Sequence, residues 1–437
     1  MAMKDAKIEK IDETSFKLDK ESKSFTITKK FKSLNLKVGD PVKYEIKGPN
    51  INIEKGPEET KKDGNGGGKT GFGVGYGHKT TEIKADMSQF IYPFNFVSLG
   101  DENEIEESRG PIKKGDYSGK IVCTLTNLTP ISIGSEKSTE FIKFKDKYVI
   151  PASSLKGEIR NIVEILTTSC IKNIKEKHLY KKIPEKFKPC KNTEHLCFAC
   201  RLFGSTGNDM EEMSVSQNSY RGRVFFSDAV INKNVNTLTL SFLLGGPRVE
   251  EGEPAMRRFY TTPSGKIRGR KFFWHQKKLF SKNNLTGDFP QSSKKVMSTV
   301  SCIDINHEFK FEVHFEKLTA EELGVLVYAL ELEKGLLHKF GRAKAYGFGS
   351  CEIKVKDILL DNIDKYQSFI PSSIKDIKFL DDIKKKYINS TKNHINELKA
   401  ILAQVNKVSL GYPKPFPDRN ALNKFKGKTL PKILEYK

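Results

Sequence analysis

The sequence predicts an α+β protein: a ferredoxin-like unit with a cysteine-rich insertion and a protruding hairpin, preceded by a small OB-like β-barrel. Three observations carry that expectation. From about residue 117, segments of two-residue and 3.6-residue apolar period follow one another as strand, helix, strand, strand, helix, strand, the order of a ferredoxin-like unit. The first ~56 residues instead alternate short β-rich runs with turns. Lys and Arg outnumber Asp and Glu by 76 to 54, a net charge of +22 over 437 residues. That excess calls for a polyanionic partner.

The N-terminal runs "SFKLD", "SFTITKKF" and "VGDPVKYEIKGPNINIEKG" are punctuated at Gly39-Asp40-Pro41 and Gly48-Pro49-Asn50. They place a barrel over residues 1–60, either OB or cold-shock-like, with a face for single strands, or a generic all-β module. Residues 61–90 include "KKDGNGGGKTGFGVGYGHK", which lacks side chains to pack and reads as a linker. Its Gly68-Lys69-Thr70 has neither the earlier glycine nor the flanking strand and helix of a phosphate-gripping loop. Residues 91–356 form the main domain. Its first strand lies in "YSGKIVCTLTNLTPISIGS" and ends at Gly134. Pro151, Ser153 and Ser154 open a helix that buries Leu155, Ile159, Ile162, Val163 and Leu166, with Lys156 and Arg160 on another face. Strands follow at "GRVFFSDAVI", "TLTLSFLL" and "HEFKFEVHFE". A second helix begins at Thr319 with Glu322 in the capping-box position, buries Leu323, Leu326, Val327 and Leu330, and ends before Gly335. "GFGSCEIKV" closes the domain. Residues 357–437 read as helical, then extended at "GYPKPFPDRN", where prolines exclude helix. No run approaches the ~18 apolar residues of a membrane span, and the N-terminus has no signal-peptide core. A cytoplasmic protein without a membrane partner is expected.

Cys190, Cys197 and Cys200 in "CKNTEHLCFACRLFG" have the spacing to chelate tetrahedral Zn²⁺. The fourth ligand is expected from His178 or His195, with Cys170 further upstream. A closed site of this kind is structural and holds together an insertion over residues 169–204. Cations interleave with aromatics in "YRGRVFF", "RRFYTTPSGKIRGRKFFWHQKK" and "HKFGRAKAYGFGS". Guanidinium groups pair with phosphates while aromatic faces stack on bases, the combination suited to single-stranded RNA. Residues 245–300, rich in Gly, Pro and Arg up to 276, read as a protruding thumb.

"PASSLKGEIRNIVEIL", "CFACRLFGS", "GRVFFSDA" and "KFGRAKAYGFGS", in that order, resemble the motifs of CRISPR-associated RAMP proteins, specifically the backbone subunits of type III effector complexes. The resemblance spans roughly residues 117–356. "IYPFNFVSL" and "YPKPFPDRN" are similar to flanking segments of a longer variety. It implies an RRM-derived palm that binds CRISPR RNA, and a thumb wedged between that guide and complementary target RNA. It also implies assembly beside other RAMP subunits in antiviral defence. Carried over, Ser153, Ser154, Lys156 and Arg160 would line the guide backbone. Arg201, Arg221, Arg223, Arg342 and Lys344 are further RNA-binding candidates, and Gly341, Gly347 and Gly349 would let their loop approach a backbone closely. The alternative is an endoribonuclease. Target-cutting members of the family resemble one another in an aspartate before the first helix. Here that loop reads "GSEKSTEFIKFKDKYVIP", with Glu136, Glu140 and Asp146. Glu140 and Asp146 are the catalytic candidates, with Mg²⁺ as the metal. Processing nucleases of the same superfamily use a histidine, for which His275 or His338 would serve.

Overall fold

The computed structural model describes the strands between residues 4 and 55 and, further on, residues 93–134, 138–172, 177–205, 219–231, 235, 237–243, 260–276, 297–361, 378–405 and 432–435. The chain divides into two compact units, Met1–Thr81 and Glu82–Lys437.

The first unit is one five-stranded antiparallel sheet: β1 (Lys4–Ile11), β2 (Ser15–Leu18), β3 (Ser24–Thr26), β4 (Pro41–Lys47) and β5 (Asn50–Lys55), in the order β3-β2-β1-β4-β5. The register of β1 against β2 shifts between Ile8 and Lys10, a bulge that bends the strand shared by both halves of the sheet. Ile8, Leu18, Val42 and Ile53, from four of the strands, are all buried. The expected linker lies outside the described residues.

The second unit opens with β6 (Phe94–Val97) and α1 (Glu102–Ser108). Its frame then runs β7 (Tyr117–Asn127), the hairpin β8 (Lys143–Phe144) and β9 (Lys147–Ile150), and α2 (Ala152–Leu166). The insertion contains α3 (Lys177–Tyr180) and α4 (Phe198–Phe203), and β10 (Gly204–Ser205) and β11 (Tyr220–Arg221) follow at its end. After it come β12 (Val224–Phe226), β13 (Ala229–Val230), β14 (Thr237–Leu243), β15 (Arg270–Phe273), β16 (His275–Gln276), β17 (Met297–Ile303) and β18 (Glu308–Leu318). The chain continues through α5 (Ala320–Glu331), β19 (His338–Lys339), β20 (Ser350–Leu360), α6 (Lys378–Ile388), α7 (Asn393–Leu402) and β21 (Gln404–Val405). The main sheet is ordered β19-β20-β7-β18-β13-β9-β8, with β12 also on β18. Its centre is antiparallel and places the fourth, first, third and second frame strands side by side. With α2 after the first strand and α5 after the third, this is the expected βαββαβ unit.

Burial follows the two periods. On β7, Ile121, Cys123 and Leu125 are fully buried; on β18, so are Phe309, Phe311, Val313 and Phe315. They meet the five apolar residues expected on α2, all buried, and the four expected on α5. Almost every α5 side chain is buried, because α6 covers its outer face. Gly324 permits that approach: a Cβ there would stand 2.4 Å from the Ile383 side chain.

The expected thumb differs from the structure in its described part. β14 and β17 pair antiparallel along seven residues, as the stem of a hairpin should. Residues 260–276, however, return to the body: β15 pairs with β6, β16 lies parallel to β21, and Phe272 and Trp274 enter the main core. Apolar side chains alternating with the cations of this segment find a buried face, and that outweighs the turn-rich composition. The extended segment "GYPKPFPDRN" lies outside the described residues, and among those described no helix is long and apolar enough to cross a membrane.

Candidate nucleic-acid cleft and metal centre

A cleft of about 570 Å³ lies between α2 and the loop joining β19 to β20. The loop, "FGRAKAYGFG", is shaped by backbone that side chains resist: Gly341, Ala343, Gly347 and Gly349 all have φ between +58° and +87°. A Cβ on Gly341 would come within 2.2 Å of the Ser132 carbonyl oxygen, so this loop lies directly on the segment following β7. Arg342 clasps that segment, donating to the carbonyls of Ser138, Thr139 and Glu140 and to Ser132 Oγ. It therefore shapes the wall of the cleft that it lines.

On the opposite wall, α2 begins at Pro151 without a side-chain cap of its own. The two serines do not cap it. The Ala152 N–H donates instead to Asp228 Oδ1 at 2.7 Å, a carboxylate next to β13. The Ser153 and Ser154 hydroxyls make no hydrogen bond to any described residue, and both line the cleft. Lys344 faces the same space and has no carboxylate partner among the described residues. The positive end of the α2 dipole adds to that charge. Neither glutamate in the cleft is left open. Glu158 Oε1 accepts the Lys339 backbone N–H, and Glu164 is held by both Arg160 and Arg270.

Of the remaining cationic candidates, Arg160, Arg201 and Arg223 are spent elsewhere, wholly or in part. Arg160 lines the cleft but donates to Glu164, to the Gly204 carbonyl at 2.9 Å and to Cys200 Sγ at 3.4 Å. Arg201 holds the carbonyls of Ser108 and Leu196. Arg223 is buried in an ion pair with Glu322 and reaches three backbone carbonyls. Its place beside a strand resembled an RNA contact, but its charge serves the core. Lys156 is half-buried, off the cleft lining, and its pKa is lowered by burial and by Arg160. Arg221 is exposed and sits 4.7 Å from the Phe225 ring centroid, a cation and aromatic on one surface.

The two candidate histidines are enclosed. His275 is fully buried with Nδ1 2.9 Å from Ser350 Oγ, and burial, reinforced by Lys339, His338 and Lys344, pushes its pKa well below the ordinary range. His338 donates from Nε2 to the Leu330 carbonyl at 2.8 Å. Neither offers an accessible base. Glu140 is exposed, and Asp146 occupies the turn between β8 and β9 with φ +62°. Among the described residues the only group spaced to hold a metal is a different one.

That group is Cys170, Cys190, Cys197 and Cys200, all buried, with sulfur atoms within 4.8 Å of one another. Cys170 takes the place expected of a histidine: His195 is exposed on the loop, and His178 lines a separate surface groove. Cys170 follows the end of α2, twenty positions before the nearest of the other three, and only the packing of α2 against α4 brings it in. Its Sγ lies 3.6, 3.6 and 3.9 Å from those of Cys200, Cys197 and Cys190. Zinc–sulfur bonds of ~2.3 Å in a tetrahedron require sulfur separations of roughly 3.8 Å, so the set fits. The Cys197 N–H points at Cys190 Sγ at 3.2 Å, and the Arg160 guanidinium stands beside Cys200; both would offset thiolate charge.

Asn161, Lys172 and Lys339 also line the cleft. Asn161 shares a helical stripe with Ser153 and Gly157, a spacing that could have revealed it. Lys339 is 3% exposed, donates to Ser350 Oγ at 3.0 Å, and burial brings its pKa down to about 7.

A ferredoxin-like sheet of this kind, with a cationic cleft at the start of α2, is one of the folds on which RNA-binding domains are built. The model of the RAMP superfamily matches residues 124–352, just over half of the chain, from within β7 to within β20 of the βαββαβ frame. The chain belongs to the RAMP superfamily of CRISPR-associated proteins, and membership carries a CRISPR-related RNA-binding role. No curated protein matches the chain in sequence.

Proposed function

We propose that this protein is a CRISPR RNA-binding backbone subunit of a cytoplasmic type III effector complex, standing beside other RAMP subunits with the guide backbone in the cleft. The observation that carries this reading is the opposition of Lys344 to the unengaged hydroxyls of Ser153 and Ser154 at a helix N-terminus. A phosphate there meets a cation, two hydroxyls and the helix dipole without displacing an existing bond. The four thiols would hold Zn²⁺ as a closed structural centre that fixes the insertion to α2. The first unit's strand order, with β1 shared between two sheet halves, is compatible with an OB-like barrel that adds a surface for single strands.

The test is anisotropy of labelled single-stranded RNA over a salt series. Affinity should fall steeply with salt, and Lys344→Ala should weaken binding about 3–10-fold and flatten the slope of log K against log salt by ~0.7. Ser153→Ala with Ser154→Ala should weaken binding without changing that slope. Absence of RNA uptake at low salt would end this reading.

A further inference from the structure

A second, smaller cavity of about 230 Å³ adjoins the cleft and shares Asn161, Lys172 and Arg270 with it. Its walls are of another character: Phe96, Tyr260, Ile171, Leu179 and Ile267. The aromatic wall is braced. Phe96 and Tyr260 meet edge to face at 5.1 Å, and Phe94 packs on both. Lys271 Nζ sits 3.9 Å from the Phe94 centroid while donating to the Tyr260 hydroxyl at 3.0 Å. Such rings lose little freedom when a ligand arrives.

The polar groups at the junction of the cavities are unequal. Arg270 is consumed by Glu164 and the carbonyls of Ser169 and Cys170, and Lys172 donates to Ser205. Asn161 makes no hydrogen bond to any described residue, although it is half-buried on α2. Its carboxamide leaves two donors and an acceptor at the entrance to an aromatic pocket. A phosphate gains nothing from apolar walls, and an aliphatic ligand gains nothing from the amide. A nucleobase uses both, its face against rings and its edge against an amide.

We propose that this pocket takes one unstacked base from the strand whose phosphates occupy the neighbouring cleft, with Asn161 bonding to its edge. The inference rests on the RNA reading above and adds to it: the palm holds a base as well as a backbone.

The experiment compares an RNA oligomer with a base-free ribose-phosphate oligomer of equal length, using the full-length protein. The wild type should prefer the base-bearing strand about tenfold or more. Asn161→Ala should reduce that preference, read as the ratio of the two affinities, at least threefold, with an unaltered melting temperature. Asn161→Gln should restore part of it. An equal preference in wild type and Asn161→Ala overturns the pocket while the RNA reading stands. Failure of both strands to bind overturns both.

Discussion

At the scale of single residues, the basic excess proves to be divided between two tasks. Arg223 joins Glu322, whose other carboxylate oxygen accepts the Thr319 N–H in the capping box of α5, so one glutamate closes a helix end and neutralises a buried cation. Arg223→Ala should cost about 3–5 kcal/mol in urea unfolding, because it strands that carboxylate. RNA affinity measured below the variant's melting temperature should not change. Lys339 yields a pH signature. In the unfolded chain its amine titrates near ~10.4, whereas burial holds it at about 7 in the folded protein. Between those values the unfolded state carries the extra proton, so this lysine's destabilising contribution is full below pH 7 and disappears as pH rises toward 10. Wild-type stability should gain on that of Lys339→Met across this window, by on the order of a few kcal/mol. Parallel pH profiles of the two would contradict burial of the amine.

At the scale of elements, local signals were readable where both partners lie within one turn or one stripe. The capping box of Thr319 and Glu322 is such a pair, and so are the apolar faces of α2 and α5. The start of α2 was readable in position but not in cause. Its cap is Asp228, 76 residues away, which no local spacing reveals. Asp228→Ala should lower stability by about 0.5–2 kcal/mol in chemical denaturation. It should also weaken RNA binding, because the serines above it lose their anchor. A variant with wild-type stability would show that the carboxylate is not the cap. The same limit hid the place of Cys170 in the four-thiol cluster and the burial of His275 and Arg223. In each case the deciding neighbour comes from another element. Arg342 shows the converse: its motif drew attention to the loop, yet only the fold shows its donors turned onto the backbone of residues 138–140.

At the scale of the whole molecule, the cysteine centre joins the insertion to the palm. Zinc content should be one per chain, and a strong chelator should lower the melting temperature by ten degrees or more, because structural metal binding adds to folding free energy. Cys170→Ser should abolish metal retention, while His178→Ala and His195→Ala should keep it. Loss of zinc in either histidine variant would reinstate that side chain as a ligand. The connection runs through α2. Arg160 touches Cys200 and Glu164, and Glu164 reaches Arg270, which in turn holds the carbonyls of Ser169 and Cys170. An engineer who transplanted residues 169–204 onto another scaffold would leave behind Arg160, Glu164 and Arg270, the charged groups that brace its cysteines. The bracing reaches back into α2 and across to β15, and a portable version of this insertion has to bring Arg160, Glu164 and Arg270 along.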